Sequence, residues 1–177
     1  SFGNALWIDE EKTSSYEMYQ YLLNFEDVMI EEYLKKYTFL EKDEIESIMK
    51  SHNEAPEKRI AQKKLAQCVI TDLHGEESYN NAVKISESLF NGDIKSFTSR
   101  DVEVAFKGLD VFTVKEDLNI VDLLVTSGSC SSKREAREFV GNGSITLNGE
   151  KVTDLDFALT KDLCIDNKYI VIRRGKK

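Results

Sequence analysis

The chain has 177 residues and a mass of 20.2 kDa, enough for one large domain or two small domains with a buried core. Apolar residues make up 41% of it and charged residues 32%, as in a soluble globular protein. No apolar run approaches the length of a membrane-spanning helix and no signal-peptide pattern is found, so we expect a cytoplasmic protein without a membrane partner. The three cysteines are far apart and odd in number, which favours a reducing compartment over a disulfide framework or a zinc site.

The net charge of −8 argues against a nucleic-acid partner until the chain is divided into two parts. Residues 119–177 hold 10 Lys and Arg against 8 Asp and Glu, a balance of +2, whereas residues 1–118 hold 14 against 24, a balance of −10. This asymmetry indicates two domains, with any RNA affinity concentrated in the second.

The first part of the chain is predicted to be all-α, because its apolar residues recur at helical spacing. Ser14 and Glu17 have the spacing of a capping box at the start of the first helix. Gly75 stands where a helix C-terminus favours glycine. The predicted later helices cover residues 27–37, 42–50, 56–74, 76–90 and 99–106. The inward positions of the first two helices are predicted to be Met18, Tyr21, Leu22, Phe25, Val28, Ile30, Tyr33 and Leu34.

The second part is predicted to be a small α+β module that follows a linker at residues 108–118, with a short strand near 111–114. Asn119 is placed to cap a first helix. Ser132 followed by Glu135 predicts a second helix that starts with a capping box.

A β-hairpin is predicted directly after that second helix. Asn148-Gly149 is the strongest short hairpin signal in the chain, because both residues tolerate the positive φ of a two-residue turn. Ile145 and Leu147 alternate with polar residues before the turn, as a half-buried strand requires.

The second helix of the module is basic and could bind phosphate. Lys133 and Arg137 are four residues apart and share a face, with Arg134 beside them. Guanidinium and ammonium groups, together with the free N–H groups at a helix N-terminus, attract phosphate. The alternative is a basic surface that is merely solvated. The candidate RNA-binding residues are Ser131, Ser132, Lys133, Arg134, Arg137, Lys151, Arg173, Arg174, Lys176 and Lys177.

The second part contains an ordered series of features: a serine before a helix, Ala136-Arg137, an apolar pair, Gly143, a strand and Asn148-Gly149. The chain then ends on a strand with a basic tail. This order resembles the S4 RNA-binding module. Several RNA-modifying and ribosomal families carry that module, so the pattern is specific for the module and not for one protein. The expected fold is an all-α helical domain followed by a small α+β S4-like (αL-type) RNA-binding domain.

Five stretches spread along the first half of the chain complete the pattern: Ser1–Ile8, Thr13–Tyr21, Tyr37–Leu40, Glu54–Arg59 and His74–Glu77. In this order they resemble bacterial tyrosyl-tRNA synthetases, and the resemblance implies that the chain is the C-terminal half of such an enzyme. The implied organisation is a segment after the catalytic-domain signature loop at 1–12, a helical anticodon-binding domain at 13–107, a linker at 108–118 and an S4-like domain at 119–177.

The resemblance also implies what each domain binds. The helical domain would hold the anticodon stem-loop of tRNA(Tyr), and the S4-like domain would grip the tRNA near its long variable arm. Asp27 is the best match to an acidic residue that, in this family, accepts hydrogen bonds from the anticodon guanine. The alternative is that Asp27 or Glu26 simply caps a helix. An aromatic-rich region around Tyr21 could supply one or two rings on which bases stack, the rest being core.

The chain itself is expected to be non-catalytic, without a metal, cofactor or catalytic residue, since no Gly-rich phosphate loop and no His-x-Gly-His motif is found. The parent enzyme would be a class I tyrosine–tRNA ligase that uses ATP and Mg. We expect the chain to be a monomer and the parent to be a homodimer formed through its catalytic domain. The alternatives are an S4-domain RNA-modifying or ribosome-associated RNA-binding protein and a helical protein-interaction module.

Overall fold

A computed structural model of the chain describes residues 6–114 and 117–175. These residues are mostly helical: they form eight α-helices, two single 3₁₀ turns and five short strands in two small sheets. None of the helices within the described ranges is long and apolar enough to cross a membrane. Residue contacts divide the chain into two compact units, Ser1–Glu87 and Ser88–Lys177. Each unit is described by itself below.

The first unit is helical, and its fourth helix packs against each of the first three. A single hydrophobic core joins them, with Ile30 and Leu34 fully buried at its centre. The helices are α1 (Ser15–Leu23), α2 (Asp27–Tyr37), α3 (Lys42–Glu54), α4 (Ile60–His74) and α5 (Glu76–Asn91), the last of which extends beyond Glu87.

The start of α1 confirms the predicted capping box. The Glu17 N–H donates to the Ser14 hydroxyl oxygen at 3.1 Å, and the Ser14 N–H donates to the Glu17 carboxylate at 2.9 Å. Two predicted inward positions are wrong, because Tyr21 is exposed and Val28 is 86% exposed. The buried stripe of α1 runs through Tyr19, and Val28 lies two residues from buried Ile30, which places it far around α2.

The region between α3 and α4 differs from the prediction. Helix α3 continues to Glu54, four residues beyond the predicted end, and the predicted single helix over residues 56–74 is divided. Pro56 starts a 3₁₀ turn, and Arg59 then takes a left-handed backbone conformation with φ 55° and ψ 37°. Since a left-handed residue cannot continue a right-handed helix, α4 begins only at Ile60.

The second unit includes helix α6 (Ser99–Ala105). Three hydrogen bonds join this helix to residues 166–169 of the same unit. Glu103 accepts from Lys168 at 2.9 Å and from the Tyr169 hydroxyl at 2.7 Å, and the Ser99 N–H donates to Asp166 at 2.6 Å. Residues 111–114 form no strand. Residues 115 and 116 of the predicted linker lie outside the described residues.

Two short helices and two small antiparallel sheets form the rest of the second unit. Asn119 caps α7 (Ile120–Thr126) as predicted, because its side-chain oxygen accepts from the Val121 N–H at 2.8 Å. In the larger sheet the strand order is β3–β2–β5, and its inner face carries fully buried Ile145. The elements are β1 (Leu118–Asn119), α7 (Ile120–Thr126), α8 (Lys133–Gly141), β2 (Ile145–Leu147), β3 (Glu150–Lys151), β4 (Ala158–Leu159), paired with β1, and β5 (Ile172–Arg174).

The predicted hairpin turn is confirmed between β2 and β3. Asn148 and Gly149 both have positive φ, at 48° and 84°, as a two-residue turn of this hand requires. The tip of the hairpin is also packed within the second unit: a Cβ added at Gly149 would lie 2.2 Å from the backbone oxygen of Gly92. Gly149 is therefore constrained twice, by its φ and by this close approach.

We expect Gly149→Ala to destabilise the second unit by about 3 kcal/mol, because the left-handed penalty of about 1–2 kcal/mol adds to a clash with backbone. Gly128→Ala is the matched control, since Gly128 has φ 73° but a Cβ added there would meet no other atom within 4 Å. Urea unfolding of the two variants measures the difference. Equal losses would show that the contact with Gly92 contributes nothing.

Candidate nucleic-acid interfaces

The two serines before α8 form the start of that helix. The Glu135 N–H donates to the Ser132 hydroxyl oxygen at 3.2 Å, so Ser132 is the N-cap as predicted. The second half of the predicted capping box is displaced by one residue, because the Glu135 carboxylate accepts from the Ser131 N–H at 2.7 Å and from its hydroxyl at 2.6 Å. Ser131 and Ser132 thus form hydrogen bonds at the N-terminus of α8, the helix that carries Lys133, Arg134 and Arg137.

Lys133 is partly neutralised inside the module. Its ammonium lies 2.6 Å from Asp122 of α7, and both side chains are largely exposed. An exposed ion pair of this kind contributes only about 0–1 kcal/mol. Lys133 can therefore leave Asp122 at little cost, but it is a weaker phosphate ligand than a cation without a partner.

Arg174 holds β5 against the start of α8. Its guanidinium donates to the Ser129 carbonyl at 2.8 Å, lies 3.4 Å from the Glu135 carboxylate and stacks 5.0 Å from the centre of the Phe139 ring. Arg174 stands opposite Ile145 in the sheet register, which places it on the side that faces the core. A phosphate would have to compete with all three of these contacts.

Four predicted cations are exposed and form no ion pair or hydrogen bond with another described residue. Arg134 and Arg137 are three residues apart on α8, so they share one side of that helix. Lys151 and Arg173 both stand opposite Thr146, one on each neighbouring strand. Residues in one register row point to the same face of a sheet, so these two cations lie together on its outer face. Lys176 and Lys177 lie outside the described residues.

In the first unit, Asp27 is the first residue of α2 and does not cap that helix with its side chain. Glu26 is the N-cap residue, and its side chain makes no capping bond either. One carboxylate oxygen of Asp27, Oδ1, instead accepts three hydrogen bonds from three side chains. The donors are Gln62 Nε2 at 2.7 Å, Arg59 Nη1 at 2.8 Å and His52 Nε2 at 3.1 Å.

These three donors stabilise the ionised form of Asp27. The Gln62 hydrogen bond, followed by the charge of Arg59 and the hydrogen bond from His52, holds the pKa of the Asp27 carboxyl below its usual value. The other oxygen, Oδ2, has no partner among the described residues, and the side chain is 48% exposed. Asp27 therefore presents an ionised carboxylate with one occupied and one open oxygen.

Arg59 and Gln62 also bind the chain between α1 and α2. The Arg59 guanidinium donates to the Leu23 carbonyl at 3.1 and 2.8 Å and to the Phe25 carbonyl, and Gln62 donates to Phe25 at 3.0 Å. Both carbonyls lie at or just beyond the end of α1, where a helix leaves acceptors unpaired. Arg59 and Gln62, at the start of α4, thus hold the loop between α1 and α2 that precedes Asp27.

Sequence reasoning predicted a role for Asp27 but missed the residues that bond to it. Gln62 is fully buried and His52 is 1% exposed. The signal that could have found them is a polar residue on an apolar helix stripe, since Gln62 is spaced with Leu65 and Ala66, and His52 with Ile45. Within the described ranges, no cluster of His, Cys, Asp and Glu is arranged to hold a metal ion.

An aromatic row runs beside this cluster. The ring centres of Tyr21 and Phe25 are 5.2 Å apart, those of Phe25 and Tyr33 4.8 Å, and those of Tyr33 and Tyr37 5.7 Å. The two end rings, Tyr21 and Tyr37, are exposed, whereas the two inner rings are half-buried. The end rings offer flat apolar faces of the kind on which unpaired bases stack.

Two family models match the chain. Residues 1–91, just over half of the chain, match tRNA synthetases class I (W and Y). Residues 101–177 match the tyrosine–tRNA ligase SYY-like C-terminal domain.

Individual relatives agree with these models. A tyrosine–tRNA ligase of Streptococcus agalactiae is 47% identical over 179 residues, which covers 100% of this chain and 43% of the relative. One of Streptococcus thermophilus is 49% identical with the same coverage, and one of Bacillus licheniformis is 48% identical over 177 residues, covering 99% of this chain and 42% of the relative. The chain thus spans less than half the length of these relatives.

A solved structure of a C-terminally truncated mitochondrial tyrosyl-tRNA synthetase from Aspergillus nidulans covers 51% of this chain and 26% of its own, at 36% identity and a TM-score of 0.48. The assignment therefore rests on the sequence matches. By those matches the chain belongs to the class I tRNA synthetases for tryptophan and tyrosine, and it corresponds to the C-terminal part of a tyrosyl-tRNA synthetase.

Proposed function

We propose that this chain binds tRNA(Tyr) and positions it for ATP-dependent tyrosylation by the catalytic domain of a tyrosine–tRNA ligase. The observation that carries the proposal is the set of four exposed cations of the second unit that lack an ion pair among the described residues, Arg134, Arg137, Lys151 and Arg173. Phosphate contacts fix the register of a nucleic acid without reading its sequence. Such contacts suit a domain whose task is positioning.

Within this proposal the two parts of the chain have different tasks. Residues 13–107 act as the helical anticodon-binding domain, and Asp27 meets the anticodon guanine. Residues 119–177 act as an S4-like domain that grips the tRNA near its long variable arm. The match of the first 91 residues to class I synthetases favours this function over a different RNA-modifying or ribosome-associated protein with an S4 module.

The remaining assignments concern the parent enzyme. ATP and Mg belong to its catalytic domain, and this chain acts in tRNA binding rather than in that chemistry. The parent enzyme is a cytoplasmic homodimer joined through the catalytic domain, and this chain alone is a monomer.

Binding of the chain to tRNA(Tyr) and to a tRNA with a short variable arm, measured across a salt series, tests the proposed function. We expect tighter binding of tRNA(Tyr) and a steep loss of affinity with rising salt, because each phosphate contact releases counterions. Equal affinity for the two tRNAs would contradict recognition of the variable arm. Binding that does not respond to salt would contradict the phosphate-binding role altogether.

The double variant Arg134→Ala/Arg137→Ala is expected to weaken tRNA(Tyr) binding about tenfold at low salt and to lower the log–log salt slope by about two. Lys133→Ala should do less, because Asp122 already neutralises Lys133 in part. Lys42→Ala is the control, since Lys42 is an exposed helical lysine of the first unit whose one ion pair among the described residues is with Glu46. An unchanged slope in the double variant would remove α8 from the interface.

Sedimentation equilibrium of the chain is expected to give a single species of 20.2 kDa. The reason is that dimerisation is assigned to the catalytic domain. A dimer at micromolar concentration would contradict that assignment and would place an interface within these 177 residues.

A further inference from the structure

The cluster around Asp27 contains two buried side chains, Gln62 and His52. They are too buried to contact a ligand themselves, but they hold the Asp27 carboxylate, which is exposed enough to do so. We propose that Gln62 and His52 are positioning residues for base recognition: they occupy Oδ1 of Asp27, so that Oδ2 alone is presented to the incoming base. The inference rests on the proposed function, because it assumes that Asp27 meets the anticodon.

The hydrogen-bond count at Asp27 is the first support. An ionised carboxylate has about two acceptor sites on each oxygen, and Oδ1 already accepts from Gln62, Arg59 and His52. A further donor at Oδ1 would have to displace one of these three. Oδ2 accepts from no other described residue, and the side chain is about half exposed.

The orientation of Gln62 is the second support. Its amide nitrogen donates to Asp27 Oδ1 and to the Phe25 carbonyl, which uses both of its hydrogens. Its amide oxygen is buried and has no partner among the described residues. A flipped amide would set that oxygen against two acceptors, so the observed orientation is the only one that holds the carboxylate.

His52 acts in the same way from α3. The ring is 1% exposed, and its Nε2 lies 3.1 Å from Asp27 Oδ1, while Nδ1 is buried with no partner among the described residues. Since a carboxylate oxygen can only accept, Nε2 is the donor in this contact. Two buried polar atoms, Gln62 Oε1 and His52 Nδ1, are left without a partner among the described residues, while two donors are directed at one oxygen.

This geometry limits how a base can be read. A guanine offers N1–H and N2–H donors, and pairing them with the two carboxylate oxygens would need both oxygens to be open. With Oδ1 occupied, both donors must converge on Oδ2, or only one of them can bond. A base that places an acceptor lone pair next to Oδ2, where guanine places a donor, is repelled by the charge on the carboxylate.

The test compares the affinity of the chain for two tRNA(Tyr) transcripts. They carry guanine or adenine at the anticodon position that Asp27 is proposed to contact. The wild type should favour guanine by about tenfold. Asp27→Asn should abolish that preference, and Gln62→Met should reduce it to within about twofold of Asp27→Asn without changing the affinity for the adenine transcript. The double variant should be no worse than Asp27→Asn alone, because the two residues act through one atom.

Gln67→Met is the matched control, since Gln67 is an exposed glutamine on the same helix. His52→Met removes a different donor from the same oxygen and carries the test if Gln62→Met does not fold. Carboxyl titration by NMR adds a readout without RNA, and the pKa of Asp27 should rise in both donor variants.

The outcomes are distinguishable. A folded Gln62→Met or His52→Met chain that keeps its preference for guanine, while Asp27→Asn loses it, overturns the positioning role. A preference that survives Asp27→Asn overturns instead the proposed contact between Asp27 and the anticodon. An Asp27 pKa that does not rise in either donor variant shows that Oδ1 is not held as described.

Discussion

The guanidinium of Arg59 is the interaction on which the first unit depends. It lies at the start of α4, yet its bonds reach the end of α1 through Leu23, the following loop through Phe25 and the start of α2 through Asp27. The left-handed backbone of Arg59 costs about 1–2 kcal/mol. Hydrogen bonds from a charged donor contribute about 1.5–3 kcal/mol each, so the strain is offset. One side chain therefore sets the direction in which α2 leaves α1.

The same cluster makes the first unit less stable as the pH falls. The donors lower the pKa of Asp27 in the folded chain relative to an unfolded one. The stabilisation that Asp27 contributes is therefore present above the unfolded pKa and is lost as the pH falls through the folded pKa. Because the carboxylate is half exposed, solvent screening keeps this contribution modest. The ionised form, which accepts hydrogen bonds at Oδ1, thus persists to a lower pH than in an isolated aspartate.

Local signals predicted the elements well, and tertiary contacts decided the rest. The Ser14 capping box, the bounds of α2 and the Asn148-Gly149 turn follow from short-range chemistry that the sequence displays directly. The break at Arg59 could not be predicted, because it depends on carbonyls more than thirty residues away. The grouping of α6 with the second unit likewise depends on the pairing of Glu103 with Lys168. At the candidate interface, composition identified the cations but not those that are already paired, such as Arg174.

Charge separates the two tasks proposed for the chain. Residues 1–87 hold 10 Lys and Arg against 18 Asp and Glu, so the unit that contains Asp27 repels phosphate on average, whereas residues 88–177 hold 14 of each. Repulsion between exposed charges decays over about 10 Å at moderate salt, whereas a hydrogen bond at Oδ2 acts only at contact. On the proposed function, a carboxylate can therefore read a base edge only when phosphate contacts made elsewhere hold the RNA. On the same proposal Arg134, Arg137, Lys151 and Arg173 make these contacts, so their positions matter more than the net charge of −8.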